Sequence, residues 1–132
     1  MAALSSAVQN CGLDPRLLEL IKMRASQING CAYCLDMHSK AARAMGETEQ
    51  RLYALNAWRE APFYTERERA CLALTEAITL ITEGHVPDAV YEQARRVFDE
   101  EEVSQLVWAA AVINTWNRVA ISARSVPGNG GG

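Results

Sequence analysis

Residues 14–38 read DPRLLELIKMRASQINGCAYCLDMH, and this stretch predicts two consecutive helices. The pair Asp14-Pro15 is typical of a helix start, because aspartate caps free N–H groups and proline is pre-set for the first turn. Apolar residues then recur every three or four positions, as on the buried face of a helix. Asn29-Gly30 interrupts the pattern, and a second helix is predicted from about residue 31 to residue 45, where Gly46 allows a left-handed stop.

The remaining sequence extends this pattern, and the chain as a whole predicts an all-α fold, a compact bundle of six to seven helices. Thr65 and Glu68 have the spacing of a capping box, which marks the start of a later helix. The last helix, predicted over residues 102–122, is apolar around most of its girth, which is typical of a central helix or of a subunit interface. We expect one domain over residues 1–126 and a disordered, glycine-rich tail at residues 127–132.

Charge and hydropathy narrow the classes of partner. The 132 residues include 13 basic and 16 acidic side chains, a net charge of −3, so there is no basic field for nucleic acid or an anionic membrane. We expect no membrane span, because no run of 18 apolar residues occurs, and no secretory signal, because residues 1–6 lack its basic and apolar regions. The sequence therefore predicts a cytoplasmic protein, in which cysteines rarely form structural disulfides.

Cys31 and Cys34 carry the clearest chemical signal. They lie three residues apart at a predicted helix start, so both thiols share one face, where the free amide groups and the helix dipole favour the thiolate. His38 follows Cys34 by one helical turn and is suited to take up its proton. This pattern predicts a redox-active pair. The alternative is a structural zinc site, which needs four ligands where these residues supply three.

Glu19 lies twelve residues before Cys31, on the first of the two helices. If the chain turns sharply at Asn29-Gly30, the helices pack as a hairpin and the carboxylate points at the sulfurs, where it would orient His38 or relay protons. A glutamate near a helix start also simply complements the helix dipole, and spacing alone leaves both interpretations open. No function is assigned to the isolated residues Cys11, Cys71 and His85, the first two being expected as buried small apolar side chains.

These residues together resemble a known family. Glu19, the sequence Ser-Gln-Ile-Asn-Gly of residues 26–30, the CxxC pair and His38 form a pattern similar to that of the alkylhydroperoxidase D-like family, within the carboxymuconolactone decarboxylase superfamily. The similarity is strongest over residues 13–38. It continues more weakly to residues 114–118, Asn-Thr-Trp-Asn-Arg, which resemble the ending of short members.

The resemblance implies an all-helical, antioxidant thiol peroxidase that acts on organic hydroperoxides and assembles as a homo-oligomer, a trimer or hexamer. It implies that Cys34 is the peroxidatic thiol, that Cys31 is the resolving thiol, and that Glu19 and His38 form a proton relay. The best-known members carry a histidine between the cysteines, where this chain has Tyr33, which we interpret as a substrate-pocket residue. We expect no nucleotide cofactor, because no strand with a GxGxxG loop is present, so an external dithiol or protein must donate the electrons. We expect no metal, because Cys31, Cys34 and His38 supply three of the four ligands that zinc needs.

Three other functions share parts of this pattern. A thiol–disulfide adaptor that passes electrons to a peroxiredoxin-type partner would use the same two cysteines, and an exposed rather than pocketed Cys34 would favour it. A lactone decarboxylase, from another branch of the superfamily, does not need the cysteine pair. A structural zinc module would need ligands beyond Cys31, Cys34 and His38.

Overall fold

The computed structural model describes residues 1–128, and within that range it contains seven α-helices, one 3-10 turn and no strand. The helices are α1 (Ala2–Gln9), α2 (Pro15–Asn29), α3 (Ala32–Ala44), α4 (Glu49–Tyr53), α5 (Glu66–Thr79), α6 (Asp88–Val97) and α7 (Glu100–Ser122), and the 3-10 turn is Leu55–Ala57. The predicted all-α class is therefore confirmed. Of the predicted tail, residues 129–132 lie outside the described residues, and the domain boundary at residue 126 stays a prediction.

Helix α2 lies at the centre because it is apolar on two sides. Leu18, Ile21 and Ala25 are fully buried on the side that faces α5 and α7. Leu20 and Met23 are buried on the opposite side, in a second cluster that includes residues of α3, α4 and α5. A helix with both faces covered is held rigidly, so the side chains of α2 that point between these two clusters have fixed positions.

Helix α7 is the second central element, and it packs against α1, α2, α3, α5 and α6. It begins at Glu100, two residues before the predicted start, because Asp99 and Glu102 form a capping box. Its side chains face inward at most apolar positions, but Trp108 and Val119 on the outer side remain 53% and 48% exposed. Both interpretations of this helix therefore remain supported. It is a central helix, and it also presents apolar surface that suits a subunit interface.

Helix α1 was missed by the sequence analysis, which placed the first helix at residue 15. The signal was weak but present, since Leu4, Val8 and Cys11 recur at helical spacing. Val8 is buried in the main core, and α1 lies along α7. The N-terminal segment therefore forms part of the wall of the bundle.

The chain turns sharply between α2 and α3, which is the condition under which a hairpin was expected. Gly30 ends α2 in the left-handed conformation, at a φ of 70°, which glycine adopts without a steric penalty. The N–H of Cys31 donates to the carbonyl oxygen of Ser26 at 3.0 Å and fixes the exit of the chain. Helices α2 and α3 consequently pack side by side as a hairpin.

Over residues 1–128, no helix has the length and apolar character that crossing a membrane requires.

Substitution of Leu18 tests the central position of α2. We expect Leu18→Ala to lower the free energy of unfolding by about 2–5 kcal/mol, because the residue is fully buried and the vacated space cannot collapse. Leu80→Ala is the matched control at a 41% exposed position and should lower it by about 1 kcal/mol or less. Urea unfolding followed by circular dichroism measures both. Equal losses in the two variants would contradict the buried position of α2.

Candidate active site

Cys31 and Cys34 are joined in a disulfide at the start of α3, with their Cα atoms 5.3 Å apart. Cys31 is the N-cap of the helix, and its sulfur accepts a hydrogen bond from the N–H of Cys34 at 3.3 Å. The exposed fractions of the two residues are 1% and 2%. The pair therefore lies inside the protein, at a helix N-terminus that stabilises negative charge on sulfur.

Glu19 and His38 meet across the α2–α3 hairpin. The Oε2 atom of Glu19 lies 3.1 Å from Nδ1 of His38, although the residues are 19 positions apart in sequence. The side chains are 5% and 13% exposed. The hairpin thus brings together the two residues for which the family resemblance implied a proton relay, with the carboxylate against one nitrogen of the ring.

Lys22 is a third member of this group, and the sequence analysis missed it. Its Nζ atom lies 3.3 Å from Oε1 of Glu19 and donates to Oε1 of Gln9, in α1, at 2.6 Å. Burial by itself raises the pKa of the Glu19 carboxyl, but the hydrogen bond with His38 and the charge of Lys22 outweigh burial and hold that pKa below its ordinary value. Glu19 is therefore an ionised carboxylate at neutral pH.

A cavity of about 290 Å³ opens beside these residues. Its walls come from four helices. They are Ser5, Val8 and Gln9 of α1, Lys22 of α2, Tyr33, Cys34, Met37 and His38 of α3, and Ala109, Val112, Ile113, Trp116 and Ala120 of α7. Cys34 lines this cavity and Cys31 does not, so a small molecule in the cavity meets one sulfur of the pair. Tyr33 is on the wall, where the sequence analysis expected a pocket residue.

A buried polar network fixes the far side of the cysteine pair. The Nδ2 atom of Asn29 donates to Oδ1 of Asn114 at 2.9 Å and to Oδ1 of Asn117 at 3.0 Å. Asn117, which is fully buried, in turn donates to the hydroxyl of Ser26 at 3.0 Å. These bonds fasten the end of α2 to α7, and therefore align the cysteines with the cavity wall. Two asparagines three residues apart in an otherwise apolar helix were the available sequence signal.

The other residues that the sequence singled out lie elsewhere. Cys71 is in the main core, where burial raises the pKa of its thiol to about 12, so it stays an unreactive thiol. Cys11 is only partly buried, and His85 is an exposed loop residue with a φ of 56°. Within residues 1–128, no three His, Cys, Asp or Glu side chains are grouped as ligands for a metal ion.

Comparison with known proteins identifies the family of the chain. The profile of the carboxymuconolactone decarboxylase family matches residues 1–77. The chain belongs to this family. An uncharacterized protein of Bacillus subtilis, YdfG, is 54% identical over 104 residues, which are 79% of this chain and 71% of that protein.

Two solved structures are similar to this one over nearly the whole chain. A protein of unknown function from Agrobacterium tumefaciens, a candidate antioxidant defence protein AhpD, is 46% identical with a TM-score of 0.95, covering 97% of this chain and 88% of that one. An uncharacterized peroxidase-related protein from Silicibacter is 25% identical with a TM-score of 0.84, covering 96% and 68%. The alkylhydroperoxidase D-like resemblance drawn from residues 19–38 is confirmed, and it supports a role related to peroxide chemistry.

The lowered pKa of Glu19 predicts a pH-dependent stability. A carboxyl whose pKa is depressed by folding stabilises the protein fully above its unfolded-state pKa, near 4.5, and loses that contribution as the pH falls through the folded-state value. We expect Glu19→Gln to lower the free energy of unfolding at neutral pH and to flatten its decline below about pH 5. Urea unfolding at a series of pH values measures this. The same decline in variant and wild type would contradict the prediction.

Proposed function

We propose that this protein is a thiol-dependent peroxidase that reduces organic hydroperoxides with Cys34 as the peroxidatic thiol and Cys31 as the resolving thiol. One observation carries the proposal: Cys34 lines a cavity of small-molecule size, while Cys31 is buried behind it. A substrate that reaches Cys34 alone reacts with one thiol first and leaves the second to resolve the product. That order of events is the order of a two-cysteine peroxidase.

The cycle begins with both cysteines reduced. His38 takes the proton of Cys34, and the resulting thiolate attacks the terminal oxygen of the hydroperoxide. The O–O bond breaks, the alkoxide takes a proton from His38 and leaves as an alcohol, and Cys34 becomes a sulfenic acid. The Cys31 thiolate then attacks that sulfur, the hydroxyl group leaves as water after gaining the thiol proton, and the disulfide forms. Two electrons pass from the thiols to the peroxide.

The geometry of the pair suits the last step. The Cα separation of 5.3 Å lies within the usual range for a disulfide, so the resolving thiol reaches its partner without a rearrangement of the backbone. The N–H of Cys34 points at the sulfur of Cys31 and favours a negative charge there, which is the form in which Cys31 attacks.

The walls of the cavity favour an organic hydroperoxide over a hydrophilic peroxide as the substrate. Val8, Val112 and Ile113 are among its walls, each less than a tenth exposed, and they contribute apolar surface that an alkyl or aryl group covers. Transfer of such a group from water to an apolar wall contributes about 25 cal/mol per Å². Tyr33 supplies a phenol at the same wall, and we propose that it contacts the substrate.

Among the alternatives, the adaptor competes most directly. A protein disulfide must bring its own sulfur to an attacking thiolate, and Cys34 is 2% exposed and lies within a cavity, which favours a small substrate. The decarboxylase branch has no use for the cysteine pair.

We propose that an external dithiol or a protein donor reduces the disulfide, and that the enzyme works in the cytoplasm, where such reductants keep thiols reduced.

The thiol count after peroxide treatment tests this cycle. Reduced wild type contains four thiols and should fall to two with one equivalent of cumene hydroperoxide. Cys34→Ser should lose no pair of thiols, whereas Cys31→Ser should accumulate a sulfenic acid at Cys34 that dimedone traps and mass spectrometry locates. Cys11→Ser is the matched control and should keep the two-thiol loss. Thiols that resist peroxide but disappear with a protein disulfide would support the adaptor instead.

We also propose that the protein is a homo-oligomer, a trimer or hexamer, with the outer side of α7 in the interface. Trp108 and Val119 lie eleven residues apart, three helical turns, and therefore present one apolar stripe. A contiguous apolar patch on a surface marks an interaction site, and we propose that this stripe is part of one.

Charge placed on that stripe tests the assembly. We expect the Trp108→Glu variant to sediment more slowly than the wild type, with a coefficient closer to that of a monomer. The reason is that an unpaired carboxylate opposes burial in an interface. Tyr91→Glu is the control on α6, where the tyrosine is 46% exposed, and it should leave the sedimentation coefficient unchanged. A wild type that already sediments as a monomer would contradict the proposal.

A further inference from the structure

We propose that Lys22 is a positioning residue of the peroxidase reaction, whose ammonium group holds the carboxylate of Glu19 ionised and aligned against His38. The inference rests on the proposed function and extends it to a residue outside the Glu19–His38 relay. Lys22 lies on α2 three residues after Glu19, so both side chains share a face of that helix.

The carboxylate of Glu19 is held at both of its oxygens. Oε2 lies 3.1 Å from Nδ1 of His38, and Oε1 lies 3.3 Å from Nζ of Lys22. A carboxylate with a single partner rotates about its last side-chain bond, whereas two partners on different sides fix its plane. Lys22 therefore holds the carboxylate in the orientation in which it meets the histidine.

The position of the ammonium group is itself fixed. Nζ of Lys22 donates to Oε1 of Gln9 at 2.6 Å, and the side chain is 19% exposed and lines the cavity. A lysine on a helix surface ordinarily keeps its charge in water, and Lys40 on α3 is 54% exposed and pairs with Asp36 at the surface. Lys22 instead directs its charge inward, and α1 supplies the amide that keeps it there.

Few other charged side chains line the cavity beside Glu19 and His38. The described residues that α1 contributes to the cavity are Ser5, Val8 and Gln9, and those from α7 are apolar apart from the indole of Trp116. From α3 the titratable groups that line the cavity are Tyr33, Cys34 and His38. Within the described part of the chain, Lys22 is thus the one lysine or arginine that lines the cavity, and its charge adds to the hydrogen bond with His38 in keeping Glu19 ionised.

An ionised Glu19 decides the tautomer of His38. A carboxylate accepts but does not donate, so it selects the tautomer with the proton on Nδ1 and leaves Nε2 free to take the proton of Cys34. A neutral Glu19 offers its own proton to Nδ1 and removes that selection. Loss of the lysine charge would raise the pH at which Glu19 becomes neutral, so the reaction would fail at a higher pH than in the wild type.

The experiment compares Lys22→Met, Lys22→Arg and the exposed control Lys40→Met. Two readouts are followed against pH: kcat/KM for cumene hydroperoxide with dithiothreitol, and the rate at which iodoacetamide alkylates Cys34 in the reduced protein. We expect Lys22→Met to move the acid limbs of both pH profiles to higher pH, and each pKa unit of that movement should lower the two rates about tenfold on the acid limb. Lys22→Arg should recover most of the loss, and Lys40→Met should stay within about twofold of the wild type.

The two readouts separate this inference from the proposed function. A wild type that is alkylated normally but turns over no hydroperoxide would overturn the peroxidase proposal, and the alkylation profiles would still test Lys22. Lys22→Met with wild-type pH profiles would overturn the inference. So would equal losses in Lys22→Met and Lys22→Arg without a shift of the acid limb, because a structural role alone produces that result. Urea unfolding of each variant shows which of them are folded.

Discussion

The left-handed turn at Gly30 sets the geometry on which the site depends. It reverses the chain between α2 and α3 within two residues, and the bond from the Cys31 N–H to the Ser26 carbonyl fixes the register of the two helices. In that register Glu19 on one helix meets His38 on the other at 3.1 Å. The same turn places Cys31 at the N-cap of α3, so one backbone feature positions both cysteines and the histidine that we propose accepts the proton of Cys34.

The hairpin gains its orientation in the bundle from α7. Asn29, the last residue of α2, and Ser26, one turn earlier, bond to Asn117 and Asn114 of α7. Buried amides are destabilising without partners, and here each satisfies another, so the network allows one docking geometry. Since α7 also supplies a wall of the cavity, these bonds align the opening of the cavity with Cys34.

The sequence predicted those parts of the site that lie close together in the chain or on a sharp turn. Cys31, Cys34 and His38 follow from helical spacing, and Glu19 followed from the resemblance once the hairpin was assumed. Lys22 was missed because a lysine three residues after a glutamate has the spacing of an ordinary surface ion pair. Its inward direction depends on Gln9 of α1, a helix that the apolar pattern marked only weakly, and contacts of this kind are not encoded in local spacing.

Charge balance explains why an apolar cavity contains so polar a relay. Removal of an ion from water is unfavourable, so a thiolate beside Val112 and Ile113 needs compensation nearby. In the proposed cycle, transfer of the proton from Cys34 to His38 creates one negative and one positive charge, and Glu19 and Lys22 already form a second such pair. The site is neutral as a whole before and after the transfer. Each pair stabilises the other, and the apolar walls strengthen these interactions by excluding water.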